Sequence, residues 1–327
     1  MNVLVTGGAG YLGSVVAFQL LQAGHGVTIY DNLSHGALEA VPPGAKLVVG
    51  ELADHQALSS VFSSAKPQAV MHFAALIEAG ESMKFPERYF RNNTATTLTL
   101  LETMLEHGVK RFVFSSTAAL YGDPLRIPIE ESDPLCPTNA YGESKLLVER
   151  MLQWFQRIHG FRYASLRYFN AAGATPERGE AHNPESHLIP LVLQVALGQR
   201  QQIEIYGTDY PTSDGTCIRD YVHVVDLAAA HLLALDALSR HEQLIYNLGN
   251  GRGFSVREVI EVARRVTGHP IPAVERPRRP GDPAVLVASS KKIQLELNWK
   301  PCFADLENIV RGAWDWHRSH PNGYRSN

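Results

Sequence analysis

Short apolar, β-branched runs alternate with amphipathic stretches through the first half of the chain. Brief apolar segments at 3–6, 27–30, 47–49, 69–72, 111–115 and 162–168, each bounded by Gly, Pro or polar residues, predict strands. Between them, 11–23, 55–64, 87–107 and 141–159 carry the spacing of helices with one buried face. Strand and helix in such alternation predict an α/β fold, a doubly wound parallel sheet, because right-handed crossovers place helices on both faces.

Beyond residue 170 the texture changes. The stretch 171–185 is rich in Gly, Pro, Ala and Glu without periodicity and reads as a loop into a second region. There, 188–197, 225–238 and 255–267 predict helices, 207–215 is turn-rich, and 244–248 predicts a strand. The helix from Ser255 carries Glu258 three residues on, the spacing at which each side chain satisfies the other's backbone donor. Five prolines in 270–283 predict irregular structure there. The expected division is 1–169 as one domain, with 221–249 returning to it, and 170–327 as a smaller α/β substrate-binding domain. There is no internal repeat.

Composition narrows the function. The chain has 327 residues, 45% hydrophobic, with a net charge of −3 and no block of like charges. It therefore lacks the basic footprint of a nucleic-acid binder. Cys136, Cys217 and Cys302 are lone thiols without Cys-x-x-Cys spacing, which supports neither a disulfide framework nor a zinc site and suits a reducing compartment. The N-terminus runs into a strand without a basic leader and no stretch reaches 18 apolar residues, so a cytoplasmic protein off the membrane is expected.

The first candidate site is Thr6-Gly7-Gly8-Ala9-Gly10-Tyr11-Leu12-Gly13, which follows the first strand and opens the first helix. Gly8, Gly10 and Gly13 satisfy Gly-x-Gly-x-x-Gly, while Gly7, Gly10 and Gly13 satisfy Gly-x-x-Gly-x-x-Gly. Bare backbone there permits a tight turn and lets a pyrophosphate approach the helix N-terminus, the Rossmann-like arrangement. Asp31 ends the second strand, where a carboxylate accepts hydrogen bonds from an adenosine ribose and repels the extra phosphate of NADP. NAD is the expected cofactor.

The second candidate is Tyr141-Gly142-Glu143-Ser144-Lys145, whose spacing puts a phenol and an ammonium on one helix face. A nearby cation favours the phenolate and makes the tyrosine a usable base. The fifth strand ends in Ser115-Ser116-Thr117-Ala118-Ala119-Leu120-Tyr121-Gly122, which sets hydroxyls at the carboxyl edge of the sheet. Open α/β folds bind their ligands at that edge.

Glycine turn, hydroxyl segment and Tyr-x-x-x-Lys pair together resemble the extended short-chain dehydrogenase/reductase superfamily, and within it the UDP-glucose (UDP-galactose) 4-epimerase family. Further matching stretches are His72-Phe73-Ala74-Ala75, Gly80-Glu81-Ser82, Asn92-Asn93, Leu166 to Asn170, Asp209 to Thr212, Asp214-Gly215-Thr216, Arg219 to Val224 and the C-terminal Trp314 to Tyr324. The similarity covers nearly the whole chain. It implies Thr117 as the catalytic hydroxyl, Tyr141 as base and Lys145 on the nicotinamide ribose. The implied cofactor site adds Gly7, Gly10, Tyr11, Leu12, Gly13, Asp31 and Asn32, then Glu51 and Leu52, then Phe73, Ala74, Ala75, Asn92, Ser115 and Tyr168. The implied substrate site adds Asn170 near the phosphates, His187, Leu188 and Tyr206, then Arg219 and Arg279 on the UDP diphosphate, Asp282 by the uridine ribose and Leu286 in the hexose pocket. Three positions depart from the family: Glu51 where an Asp is usual, Ile77 where some members carry a Lys, and His187 where an Asn is common. The family's dimers imply a homodimer through 87–107 and 141–159.

The implied activity is NAD-dependent interconversion of UDP-galactose and UDP-glucose through a 4'-keto intermediate, with UDP-N-acetylhexosamine or UDP-uronate epimerisation as alternatives. A nucleotide-sugar dehydratase needs an added acid and base after the catalytic Thr, and this chain has Ala118 and Ala119. A silent NAD-sensing scaffold is the non-enzyme alternative, against which the intact Thr117, Tyr141 and Lys145 argue. His182 and His187, five apart in a Pro-containing stretch, lack the i,i+4 spacing of a zinc pair, so no metal is expected. His72 and His223 read as structural, and Trp314 and Trp316 as packing in a helix that closes the second domain.

Overall fold

The computed structural model describes residues 1–279 and 282–324. The first half runs β1 (Asn2–Thr6), α1 (Tyr11–Gln22), β2 (Gly26–Asp31), β3 (Lys46–Val49), α2 (His55–Ala65), β4 (Ala69–His72) and two one-turn helices, α3 (Ala79–Ser82) and α4 (Pro86–Tyr89). It continues through α5 (Thr96–Glu106), β5 (Arg111–Thr117), α6 (Ala140–His159) and β6 (Arg162–Tyr168). The second half holds β7 (Asn170–Ala172), α7 (Leu188–Ala196), β8 (Ile203–Tyr206), β9 (Ile218–His223), α8 (Val224–Ala237) and β10 (Gln243–Leu248). The chain then forms β11 (Gly253–Ser255), α9 (Val256–Thr267), β12 (Ala273–Arg276), β13 (Val285–Leu286), α10 (Lys291–Leu297) and α11 (Leu306–Ser319).

Seven strands form one parallel sheet in the order β10-β6-β5-β4-β1-β2-β3. Chain direction across it reverses at β1, so β1 and β4 part at their carboxyl ends and leave a crevice, the usual ligand position in open α/β sheets. One face buries Val15, Val16 and Leu20 of α1 with Leu227 and Ala234 of α8. The other buries Phe62 of α2, Leu100 and Met104 of α5, and Val148 and Leu152 of α6. Because β10 pairs with β6 and α8 packs in the first core, the 224–248 stretch sits on this sheet.

A separate core gathers Val192 and Leu193 of α7, Val259 and Ile260 of α9, and Ile309, Val310 and Trp314 of α11. Over it, β7, β11 and β13 pair with β9, and β8 pairs with β12. Ser255 and Glu258 form the capping box, the Ser255 hydroxyl accepting the Glu258 N–H at 3.0 Å and the Glu258 carboxylate accepting the Ser255 N–H at 2.7 Å. Two contacts tie the loop after β7 back to the first sheet. The Tyr11 hydroxyl donates to the Gly173 carbonyl, and Arg178 donates to the Ala40 carbonyl at 3.2 Å while lying 4.6 Å from the Phe18 ring.

Two expectations need correction. The 87–107 helix is broken by a π-helical turn over Phe90–Ala95. There Thr96 and Thr97 hydroxyls bond the Asn92 and Asn93 carbonyls, and the buried Asn93 amide reaches the Leu76 carbonyl at 2.9 Å and the Ser144 hydroxyl at 3.1 Å. Such widened turns often sit at ligand sites, and Asn92 does line the cleft. The 270–283 stretch, expected to be irregular, contains β12, because Pro272 and Pro277 bracket the paired residues instead of interrupting them. No helix among the described residues is long and apolar enough to cross a membrane.

Candidate active site

The carboxyl ends of the central strands open into a cleft of about 420 Å³ that extends to β13. At one end stands the glycine turn. Gly7 has a positive φ of 70°, and a β-carbon there would lie 2.4 Å from the Ala74 nitrogen. At Gly13 a β-carbon would lie 2.2 Å from the Gly7 carbonyl oxygen, so neither position tolerates a side chain. Gly10 caps α1 without a side chain. The N–H groups of Tyr11, Leu12 and Gly13 thus belong to a first turn that lacks intrahelical acceptors and favours an anion.

Asp31 carries more than a ribose contact. Its Oδ2 accepts the Ala9 N–H and its Oδ1 the Leu33 N–H, both at 2.9 Å, which clamps the glycine turn to the end of β2. Each oxygen retains a lone pair. Glu51 accepts two bonds from the Asn32 amide at 3.0 and 3.1 Å, so these residues orient each other at the cleft wall beside Leu52. Phe73, Ala74, Ala75 and Asn92 line the opposite wall.

The reactive groups meet on the floor, where α6 crosses the end of β5. Asn139 caps α6, accepting the Gly142 N–H at 2.8 Å, and this fixes where the helix begins and hence where Tyr141 points. Thr117 and Tyr141 both line this floor, with Thr117 near enough to act on the Tyr141 hydroxyl. Burial pushes the Tyr141 hydroxyl up to about 12, opposed by Thr117 and assisted by the Glu78 carboxylate. Burial also lowers the Lys145 ammonium to about 7. The Lys145 amine donates to the Ser115 carbonyl at 3.0 Å, 4.9 Å from the centre of the Phe114 ring. The neighbouring lysine does not lower the tyrosine as expected, and desolvation raises it instead. Tyr168, on the adjacent strand, bonds the Ser115 hydroxyl.

Beneath these groups lies a network absent from the sequence reading. Glu149, two turns after Tyr141 on α6, accepts from the Ser116 hydroxyl at 2.7 Å and from Arg167 at 3.0 and 2.6 Å. Arg167 also donates to the Tyr121 hydroxyl at 2.9 Å, which donates to Asn247 at 2.7 Å. Tyr141, Lys145 and Glu149 follow the four-residue helical interval, so one face of α6 holds the catalytic pair and its anchor.

At the other end, Arg219 lies on β9 beside Leu286 of β13, donating to the Pro283 carbonyl at 2.8 Å and to Asp282 at 3.3 Å. Asn170, His187, Arg219, Asp282 and Leu286 line the cleft, and so do His182, weighed in the sequence only as a zinc ligand, and Glu180, which sequence reasoning did not single out. Three expected contacts fall outside the cleft lining. Leu188 packs into the second core, and Arg279 lies 4.0 Å from the Tyr206 ring, the two stacked on each other. The absence of helical spacing between His182 and His187 was a poor guide, because an irregular loop brings both imidazoles against Glu180.

The residues present fit a dinucleotide. The bare glycine backbone and first-turn N–H groups suit a pyrophosphate, and the buried Lys145, which pairs with no carboxylate among the described residues, suits a ribose.

Comparison with known proteins agrees with this geometry. A model of the NAD dependent epimerase/dehydratase family matches residues 3–249. A UDP-glucose 4-epimerase of Halalkalibacterium halodurans is 55% identical over 99% of this chain and 98% of its own. A crystal structure of a UDP-glucose 4-epimerase superposes with a TM-score of 0.97 at 50% identity, covering 100% of both chains. That of the Bifidobacterium longum enzyme in complex with NAD+ and UDP gives 0.95 at 38% identity, covering 99% of this chain and 100% of that one.

Proposed function

The chain belongs to the NAD dependent epimerase/dehydratase family, and from that premise we propose that it interconverts UDP-galactose and UDP-glucose by inversion at C4'. The observation that carries this reading is the gathering of Thr117, Tyr141 and Lys145 in one cleft, where the two residues after Thr117, Ala118 and Ala119, offer no acid for elimination. Full-length relatives named for this reaction support it.

Residues 1–169 with 221–249 hold NAD in this reading, and 170–327 hold the nucleotide sugar. NAD held by the glycine turn, Asp31 and Lys145 would supply the hydride acceptor and donor for C4'. Tyr141 takes the 4'-hydroxyl proton and later restores it, with the Thr117 hydroxyl bridging the two oxygens. Lys145 holds the ribose and adds positive charge beside the phenolate. Anchoring falls to UDP, through Arg219, Asp282, Asn170 and His187, so the hexose is free to turn about its link to the diphosphate. The chain's contribution is orientation. Incubation with UDP-galactose should yield UDP-glucose with no net NADH. Accumulation of a dehydrated or oxidised sugar, or no turnover of any UDP-sugar, refutes the proposal.

Leu286 projects into the cleft at β13, and its size sets the room near C2'. A leucine is intermediate between a crowding aromatic and a small residue, so the unacetylated pair should be preferred with weaker turnover of the N-acetyl pair. Such pocket differences amount to about 1–3 kcal/mol. Leu286→Tyr should then depress kcat/KM for the N-acetyl sugars by roughly 10- to 100-fold and spare UDP-galactose. Equal losses in both assays reject this role.

A homodimer is proposed through α5, α6 and the π-helical turn. In support, Phe90 and, on α6, Trp154 and Ile158 are large apolar side chains exposed to solvent. Sedimentation at micromolar concentration should give twice the chain mass, and a monomer contradicts this assembly. A reducing cytoplasm suits the three unpaired cysteines.

A further inference from the structure

The loop between β7 and α7, whose Glu180, His182 and His187 also line the cleft, gathers a second set of reactive side chains. Glu180, His182, Glu185 and His187 each bring one ligand atom to within 4.8 Å of the others. The Nδ1 atom of His187 is 2.7 Å from Glu180 Oε1 and 3.0 Å from Glu185 Oε1, while His182 Nδ1 is 3.0 Å from the same Glu180 oxygen. Both carboxylates are withdrawn from water, at 6% and 5% side-chain exposure.

Protons alone serve this arrangement poorly. A single Nδ1–H on His187 is shared between Glu180 Oε1 and Glu185 Oε1, so one of these two contacts is poorly aligned, while Glu180 Oε1 spends both lone pairs on the two imidazoles. A cation at the centre faces two ring nitrogens and two carboxylate oxygens at once. Imidazole donors point away from magnesium and calcium, and a four-donor N/O set without thiolate suits a zinc-class ion in tetrahedral geometry.

The loop is also held in place. Its start is fixed by the C-terminal segment: the Gly179 N–H donates to the Tyr324 hydroxyl at 3.0 Å, and Trp316 packs so closely that a β-carbon on Gly179 would lie 2.2 Å from its ring. At its end His187 is the N-cap of α7, and Glu185 accepts the His187 N–H at 2.8 Å and the Ser186 N–H at 2.7 Å. Backbone partners of this sort orient a ligand before the metal arrives.

We propose that Glu180, His182, Glu185 and His187 bind one divalent transition-metal ion of the zinc class. Four protein donors close the coordination shell, so the ion is structural: it fixes the loop that presents His182 and His187 to the cleft and takes no part in the transfer at C4'. This site stands independently of the sugar reading, since metal content is measured without turnover.

The test uses full-length, tag-free protein with its cofactor, stripped by a chelator, reloaded with zinc sulfate alone and desalted. Elemental analysis should then find one zinc per chain. Glu185→Gln and His182→Gln should each weaken zinc binding at least about 10-fold, the lower end of what even outer-shell changes do. Cobalt(II) in place of zinc should give the intense visible bands of a four-coordinate ion in the unaltered chain, a reading that needs no variant to fold. Substoichiometric zinc, equal zinc affinity in the folded variants, or the pale spectrum of six-coordinate cobalt overturns the proposal.

Discussion

Tyr141→Phe should lower kcat by at least about 100-fold while UDP-galactose still binds, because the substitution removes the one proposed proton acceptor and keeps the ring that fills the floor. Burial lifts the Tyr141 hydroxyl to about 12, opposed by Thr117. The phenolate is therefore scarce until positive charge gathers beside it, and the loss on removing it falls on the chemical step and not on affinity. Steady-state kinetics with equilibrium binding of UDP-galactose separates the two. A variant with near-normal kcat removes Tyr141 from the mechanism, and one that no longer binds the sugar assigns it to the ground state.

Glu149→Ala should be the costliest change to stability. It strands Arg167, whose side chain is 4% exposed, against a carboxylate that is 2% exposed in the intact pair. Removing one partner of such a buried ion pair typically costs about 3–5 kcal/mol, since the remaining charge keeps its desolvation penalty without its compensation. Ser116→Ala removes the hydroxyl that donates to the same carboxylate and leaves the ion pair whole, so it should cost only about 1 kcal/mol. Urea unfolding of the two variants gives the comparison. Equal midpoints for both would show that the Arg167 charge finds water when Glu149 is lost.

The sheet and both reactive ends of the cleft were legible because their signals are local. The glycine turn, the acid ending β2 and the Tyr141/Lys145 interval each depend on a few residues in one element, where spacing maps directly onto geometry. Glu149 and Arg167 escaped because they lie 18 positions apart on a helix and a strand, and only tertiary packing joins them. The same holds for Glu180, His182, Glu185 and His187: helical periodicity has no bearing on an irregular loop. β12 was hidden by its flanking prolines, and the π-helical turn by an amphipathic pattern that a one-residue widening scarcely alters. Arg279 was placed at the diphosphate by resemblance, and its stacking on Tyr206 depends on β8 and β12 running side by side, which no motif encodes.

Tyr11 and Arg178 give the cleft a property of their own. Many ligand-binding proteins close like jaws, swinging one lobe about a few residues at the junction. Here the Tyr11 hydroxyl grips the Gly173 carbonyl and Arg178 grips the Ala40 carbonyl, so two rivets span the same junction. Swinging the lobes apart means breaking both. Opening the gap therefore costs both bonds, about 0.5–1.5 kcal/mol each, which favours a cleft that already has the clearance a pyranose needs to present its other face. The cleft works as a bearing, with the nucleotide as a fixed axle and the hexose as the part that turns.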